Sequence, residues 1–260
     1  MRAGVRERSL HRMDEITAYY AEQSGVVAIA AFGSNAKRSQ FDDYSDLDFL
    51  VFVESGAKAR LIAEVGKLTQ LGKIDALRVV YGDAVQLLFS DGVLCDFGIV
   101  TPEQLGTFPH GEGRYLWQRP NWQAVDLSAR EPMRKSAQEL EEEALFRLYV
   151  GLLREQRGEK AAAFDEIQNK ATGCVLSILE ENRADAFSPL RRAETMVSQD
   201  ILSRMMPGYG HTLDSAAYLL ELLSTPQETP LFRAVRVLLH ESKAEHAHEN
   251  QHMIGKETQQ

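Results

Sequence analysis

The spacing of apolar residues changes character once along this chain, and that change limits the folds open to it. Up to about residue 101 the apolar residues fall in short runs bounded by turn formers: VVAIAAFG, SDLDFLVFVE, DALRVVYG, AVQLLFSDG and GVLCDFGIVT. Runs of this length between Gly, Asp and Ser residues read as β-strands, with tight turns at Gly82-Asp83 and Ser90-Asp91-Gly92. Helical spacing appears before the first run, from about Leu10 to Glu22, and again at Leu61, Ile62, Val65 and Leu68. From Ser136 onward the strand-length runs stop. Leucines and aromatics recur at helical intervals, and the segment from Ala144 to Asn182 has no proline.

The stretch between these regions holds Pro102, Pro109, Pro120 and Pro132 together with Gly106, Gly111 and Gly113, and reads as loop. The expected fold is therefore α+β: a mixed sheet flanked by helices over residues 1–132, then a helical bundle over 133–260. The polar tail after about Ser242 is expected to fray. A chain of 260 residues, 44% hydrophobic, is long enough to bury a core in each part.

Charge and cysteine content narrow the partners. A formal charge of −9 repels a phosphate backbone, which argues against nucleic acid and suits a small cationic substrate. Cys95 and Cys174 are too few and too far apart for a disulfide framework or a thiolate metal site. The N-terminal residues carry no apolar signal core, and no run is long and apolar enough to span a bilayer. A soluble cytoplasmic protein is expected.

One stretch carries chemistry: FGSNAKRSQFDDYSDLDFLVF, Phe32 to Phe52. Alternate residues of a strand share a face, so Asp46 and Asp48 present two carboxylates together while Leu47 points the other way. Crowded like charges are costly unless a cation joins them, and Mg²⁺ takes one or two carboxylates and completes its shell with phosphate oxygens and water. Asp96 sits in the apolar run VLCDFGIV, where an unpartnered carboxylate is expensive to bury. If its strand neighbours that of Asp46 and Asp48, the three acids converge, and three carboxylates can hold two metal ions. Gly33 permits a tight turn and close ligand approach, and Ser34 adds a hydroxyl to the backbone N–H groups there. A helix over about Asn35 to Ser39 would aim its positive end the same way. Lys37 and Arg38 are placed either to neutralise phosphates or to lie on a surface loop, and Asp42 and Asp43 read as solvated loop acids.

Gly-Ser, a spacer, Asp-x-Asp at the start of a strand and a single Asp on a later strand together resemble the nucleotidyltransferase superfamily of polymerase β type. The stretch from Gly33 to Phe52 resembles its small antibiotic-modifying members. Length and helical second half look most like the lincosamide nucleotidyltransferases and next like the aminoglycoside nucleotidyltransferases. The motifs cover about Ala28 to Val100. The resemblance implies that Asp46 and Asp48 bind two Mg²⁺ ions, that Asp96 binds the catalytic one near the acceptor hydroxyl, and that Gly33 and Ser34 hold a nucleoside triphosphate, with Lys37 a candidate to neutralise it. It implies transfer of a nucleoside monophosphate from ATP or another triphosphate to a hydroxyl of a small molecule, with pyrophosphate released. The same likeness implies a helical domain that supplies the acceptor pocket, and several members of the family are dimers, which leaves a homodimer open. The alternative is a module that nucleotidylates a protein, or binds a toxin–antitoxin partner, on the same fold.

Other patterns compete. HENQH at His248–His252 matches a zinc-protease motif, but its neighbours offer almost no apolar face. No P-loop motif occurs. Glu139, Glu141, Glu142 and Glu143 complement the start of a helix, and one of them is a second candidate for the general base beside Asp96. Tyr115, Trp117 and Trp122 suit either a ligand wall or core staples.

Overall fold

A computed structural model of the chain describes residues 4–179, 188–191 and 193–257, with backbone alone at Arg38 and at 248–257. Backbone contacts divide the chain into two compact units, Met1–Pro132 and Met133–Gln260.

The first unit is a six-stranded mixed sheet with helices. In chain order it holds α1 (Val5–Ala21), β1 (Val26–Ala31), α2 (Gly33–Ala36), β2 (Leu47–Val53), α3 (Ser55–Ala63), β3 (Ile74–Val80), β4 (Ala84–Phe89), β5 (Leu94–Val100) and β6 (Arg114–Gln118). The strands lie in the order β3-β4-β5-β2-β1-β6. All neighbours pair antiparallel except β2 and β5, which run parallel. A parallel pair needs a long crossover, and α3, β3 and β4 supply it.

Alternation assigns the two faces. Leu47, Phe49, Val51, Val85, Leu87, Phe89, Cys95, Phe97 and Ile99 point to one side and are buried. Met13, Ile16 and Tyr20, at helical spacing on α1, and Leu61 of α3 close the same core. The opposite face is only partly covered. Phe52 and Val100 pack there with Ala28, Ala30, Leu105 and Leu127, while the ends of β2 and β5 that carry acids stay half-buried.

Strand β6 departs from the expected loop. RYLWQ pairs antiparallel with β1, through Ala31–Arg114 and Ala28–Gln118. Prolines and glycines on both sides masked it, yet β1 has to satisfy a second row of backbone groups, and β6 does so.

The second unit is helical: α4 (Ala137–Gln156), α5 (Lys160–Phe164), α6 (Thr172–Leu179), α7 (Gln199–Met205), α8 (Thr212–Leu222) and α9 (Pro230–Glu257). A π-helical turn, Asp165–Ala171, joins α5 to α6. Its Ile167 packs so close to α4 that a Cβ on Gly151 would lie 2.4 Å from Ile167 Cγ1. Buried Gln168 exchanges two hydrogen bonds with the backbone of Gly208, at 2.8 and 3.0 Å. Helix α9 continues to Glu257, where the tail was expected to fray. Among the described residues no helix is long and apolar enough to cross a membrane.

Candidate active site

The parallel pair β2–β5 sets the geometry. Its register opposes Leu47 to Cys95, Asp48 to Asp96 and Phe49 to Phe97. On the core side the two phenylalanine rings stack, with centroids 4.5 Å apart and planes 7° from parallel. A slip of one residue would turn this buried pair outward, so the core holds the register firmly. The consequence on the open face is that Asp48 and Asp96 stand directly opposite one another, on strands about 4.8 Å apart. Like charges so placed are unfavourable. Asp46 lies one residue ahead of β2 rather than within it, half-buried.

The same face carries the row outward across β4 and β3, because Gln86 opposes Asp96 and Arg78 opposes Gln86. Gln86 Nε2 donates to Asp96 Oδ2 at 2.9 Å, and Arg78 Nε donates to Gln86 Oε1 at 2.7 Å. Neither Gln86 nor Arg78 stands out in the sequence. The signal was register: each lies at the position that pairs with the next strand's polar residue.

Asp48 is framed from the other side by the turn after β1. The Phe32 N–H donates to the Asp48 carbonyl at 2.9 Å, and buried Asn35 reaches the same oxygen through Nδ2 at 3.5 Å. Gly33 has φ of 56°, a left-handed conformation that favours glycine. A Cβ at Gly33 would lie 2.3 Å from Asp48 Oδ2. The position therefore needs glycine twice, for its backbone and for the carboxylate against it.

The helix expected over Asn35–Ser39 is placed differently. It is a single turn at Gly33–Ala36, followed by a 3₁₀ turn at Arg38–Gln40. Four residues develop little dipole, so the turn offers its local N–H groups and the Ser34 hydroxyl rather than a helix field. Arg114 of β6 donates to the Asn35 and Ala36 carbonyls, both at 3.4 Å, and brings a guanidinium to this turn. Sequence reasoning missed it with its strand, although RYLWQ carries the aromatics that favour strands. Lys37 is mostly exposed and lies 4.0 Å from Glu112. The Arg38 side chain lies outside the described residues.

The two other acids of the loop have structural roles. Asp42 accepts from the Tyr44 N–H and the Ser45 hydroxyl, and these bonds hold its carboxyl below the usual range. Asp43 accepts from the Arg6 N–H at 2.8 Å. Among the described residues, no three His, Cys, Asp or Glu side chains are gathered into a metal-holding group. Asp96 has one oxygen, Oδ2, engaged by Gln86 of the neighbouring strand β4. A divalent cation nevertheless fits the donor set. It would relieve the opposition of Asp48 and Asp96, and carboxylate oxygens are the hard donors such an ion takes.

The remaining candidates resolve as structure. The Tyr115 hydroxyl donates to the Val125 carbonyl at 2.8 Å and accepts from its N–H at 3.1 Å; its ring meets Trp122, which lies against Phe52. Trp117 packs against the core under the sheet. Burial pushes the Cys95 thiol up to about 12 and the Cys174 thiol to about 11. The side chains of the HENQH motif lie outside the described residues.

The pattern of the family described as "Nucleotidyltransferase domain" matches residues 13–148, just over half of the chain. Several solved structures are similar. An aminoglycoside 6-adenyltransferase from Bacillus subtilis is 14% identical, covers 90% of this chain and of its own, and has a TM-score of 0.32. The STING-associated CdnE c-di-GMP synthase from Capnocytophaga granulosa is 12% identical over 95% of this chain and 82% of its own, with a TM-score of 0.33. CdnG from Bradyrhizobium diazoefficiens, in complex with GTP, is 13% identical over 95% and 87%, with a TM-score of 0.29. Scores this low carry no argument about activity or acceptor. No curated protein matches in sequence.

Proposed function

We propose, from the premise that this chain belongs to the nucleotidyltransferase domain family, that it moves a nucleoside monophosphate from a triphosphate to a hydroxyl of a small molecule. The acceptor we propose is a hydroxylated antibiotic of the lincosamide or aminoglycoside kind, which the motif resemblance and the charge of −9 both favour. The observation that carries the reading is the register that opposes Asp48 to Asp96 on the open face of the sheet.

Each residue then has a role. The N–H groups of the Gly33–Ser34 turn and the Ser34 hydroxyl hold the triphosphate, and Lys37 adds charge beside them. Asp46 and Asp48 would hold both Mg²⁺ ions, and Asp96 would join them at one. When bound, these ions supply charge neutralisation at the leaving pyrophosphate and a lowered pKa at the acceptor hydroxyl. Asp96 also offers a carboxylate oxygen to that hydroxyl's proton. Everything else the chain contributes is positioning, which is where most catalysis of phosphoryl-type transfer originates.

A thermal-shift titration tests the donor side. ATP with Mg²⁺ should raise the melting temperature, by the equivalent of about 2.7 kcal/mol at a hundredfold excess over Kd, and Asp48→Asn should abolish the rise. Labelled triphosphates with a panel of lincosamides and aminoglycosides test the acceptor. Label on a drug supports the reading. Label only on a co-expressed protein replaces the small-molecule acceptor with a protein one.

A further inference from the structure

The row Arg78–Gln86–Asp96–Asp48 crosses four adjacent strands in register. Its inner half belongs to the site described above; its outer half has no role there. We infer that Gln86 is a positioning residue for Asp96, and that Arg78 fixes which end of the Gln86 amide faces it. The inference rests on the role given to Asp96 under the proposed function.

The chemistry of the row dictates its polarity. A guanidinium can only donate, so Arg78 Nε must take the amide oxygen, as it does at 2.7 Å. That leaves the amide nitrogen, a pure donor, for the carboxylate, an acceptor when ionised; the contact is 2.9 Å. Without Arg78 the amide could turn over and set its oxygen against Asp96, which would be repulsive. Arg78 thus orients Gln86, and Gln86 orients Asp96.

The tether also determines which oxygen remains. With Oδ2 on Gln86, Oδ1 is the oxygen left for a cation shared with Asp48. A carboxylate fixed through one oxygen loses less rotational freedom when the other binds a metal, and such outer hydrogen bonds are worth about 10- to 100-fold in metal affinity.

The neutrality of the link matters too. A guanidinium on Asp96 itself would neutralise the carboxylate and repel a divalent ion a few Å away. An interposed amide transmits the geometry and keeps the positive charge one strand further out.

The experiment uses the full chain with Mn²⁺ and α,β-methylene-ATP, following free Mn²⁺ by its paramagnetic resonance signal. Gln86→Met keeps the side-chain length and removes the donor. It should weaken Mn²⁺ binding about 10- to 100-fold while the melting temperature without metal stays unchanged. Arg78→Met should weaken it several-fold, since Gln86 keeps its donor but loses its orientation. In an Asp96→Asn background, Gln86→Met should add nothing, because the two act as one unit. Unchanged Mn²⁺ affinity in both Gln86→Met and Arg78→Met, alongside a large loss in Asp96→Asn, overturns the positioning role and leaves the proposed function standing. Unchanged affinity in Asp96→Asn removes Asp96 from the metal site and takes both conclusions with it.

Discussion

Two groups of acids, one in each unit, look alike in the sequence and differ in their surroundings. On α4, Glu139 completes a capping box with Ser136. Glu141 accepts from the Ser224 N–H and the Thr225 hydroxyl, and Glu143 pairs with Lys135 and Arg147. On the sheet, Asp96 has a neutral amide for its partner, and Asp48 faces another carboxylate across the strand pair. Acids that fold a helix are met by cations, caps and donors from the chain itself. Acids set in opposition, on a register locked by the Phe49–Phe97 stack, add a like-charge repulsion that a cation between them would relieve.

The widest separation between the two groups should appear in activity. Asp48→Asn is expected to lower nucleotidyl transfer on the order of 10³-fold with little change in melting temperature. Glu142→Gln, at an exposed position of α4, should leave transfer within about twofold, surface changes of this kind being close to neutral. Turnover assays on both variants, on the acceptor found in the drug panel, measure the gap. Equal activities would erase the distinction between the clusters.

Gly33→Ala comes next. The added methyl would overlap Asp48 Oδ2, and alanine at φ of 56° is strained besides. A non-glycine residue there costs about 1–3 kcal/mol, and displacement of Asp48 by an ångström should cost about 10²-fold in rate. Chemical denaturation and turnover together check it. A rate loss without a stability loss would locate the defect in the carboxylate alone.

How much of this was legible beforehand follows from the same contrast. The strands β1 to β5 were readable because each is a short apolar run between turn formers, and the helical half because its periodicity is long and uninterrupted. Strand β6 was not, since RYLWQ lies between Gly113 and Pro120 in a passage dominated by breakers, and its existence depends on the open edge of β1. The candidate acids were found from residue type and spacing. Gln86, Arg78, Arg114 and Asn35 were not, because what makes each of them matter is a cross-strand or inter-element hydrogen bond. Register is a property of two segments at once, and a single segment does not display it.

Acid should act on the helical unit through its glutamates. Hydrogen bonding to Lys135, and then to Arg147, holds Glu143 below the usual glutamate range, and bonds from the Ser136 backbone and hydroxyl do the same for Glu139. A carboxyl whose folded value is depressed contributes stability above its unfolded value, near 4.3. That contribution is lost as pH falls through the folded value. Helical circular dichroism melts should therefore be flat from neutral pH down to about 5 and decline as pH falls below the unfolded glutamate value, about 4.3. Lys135→Met should flatten the decline by removing the first partner of Glu143.

The smallest effect expected belongs to Glu141. Its two oxygens tie the first turns of α4 to the Ser224–Thr225 segment that follows α8. Glu141→Gln keeps one acceptor, and the amide can still meet the threonine hydroxyl with the other end, since that hydroxyl both donates and accepts. What is lost is the charge assistance, so the cost should be about 1 kcal/mol. Glu141→Leu removes both bonds and leaves the Ser224 N–H to water, and should cost about twice as much. The ratio of the two, read from denaturation midpoints at constant slope, separates charge from hydrogen bonding. Equal costs would mean that the ion itself holds the segment, and that this acid depends on its charge as the sheet acids do.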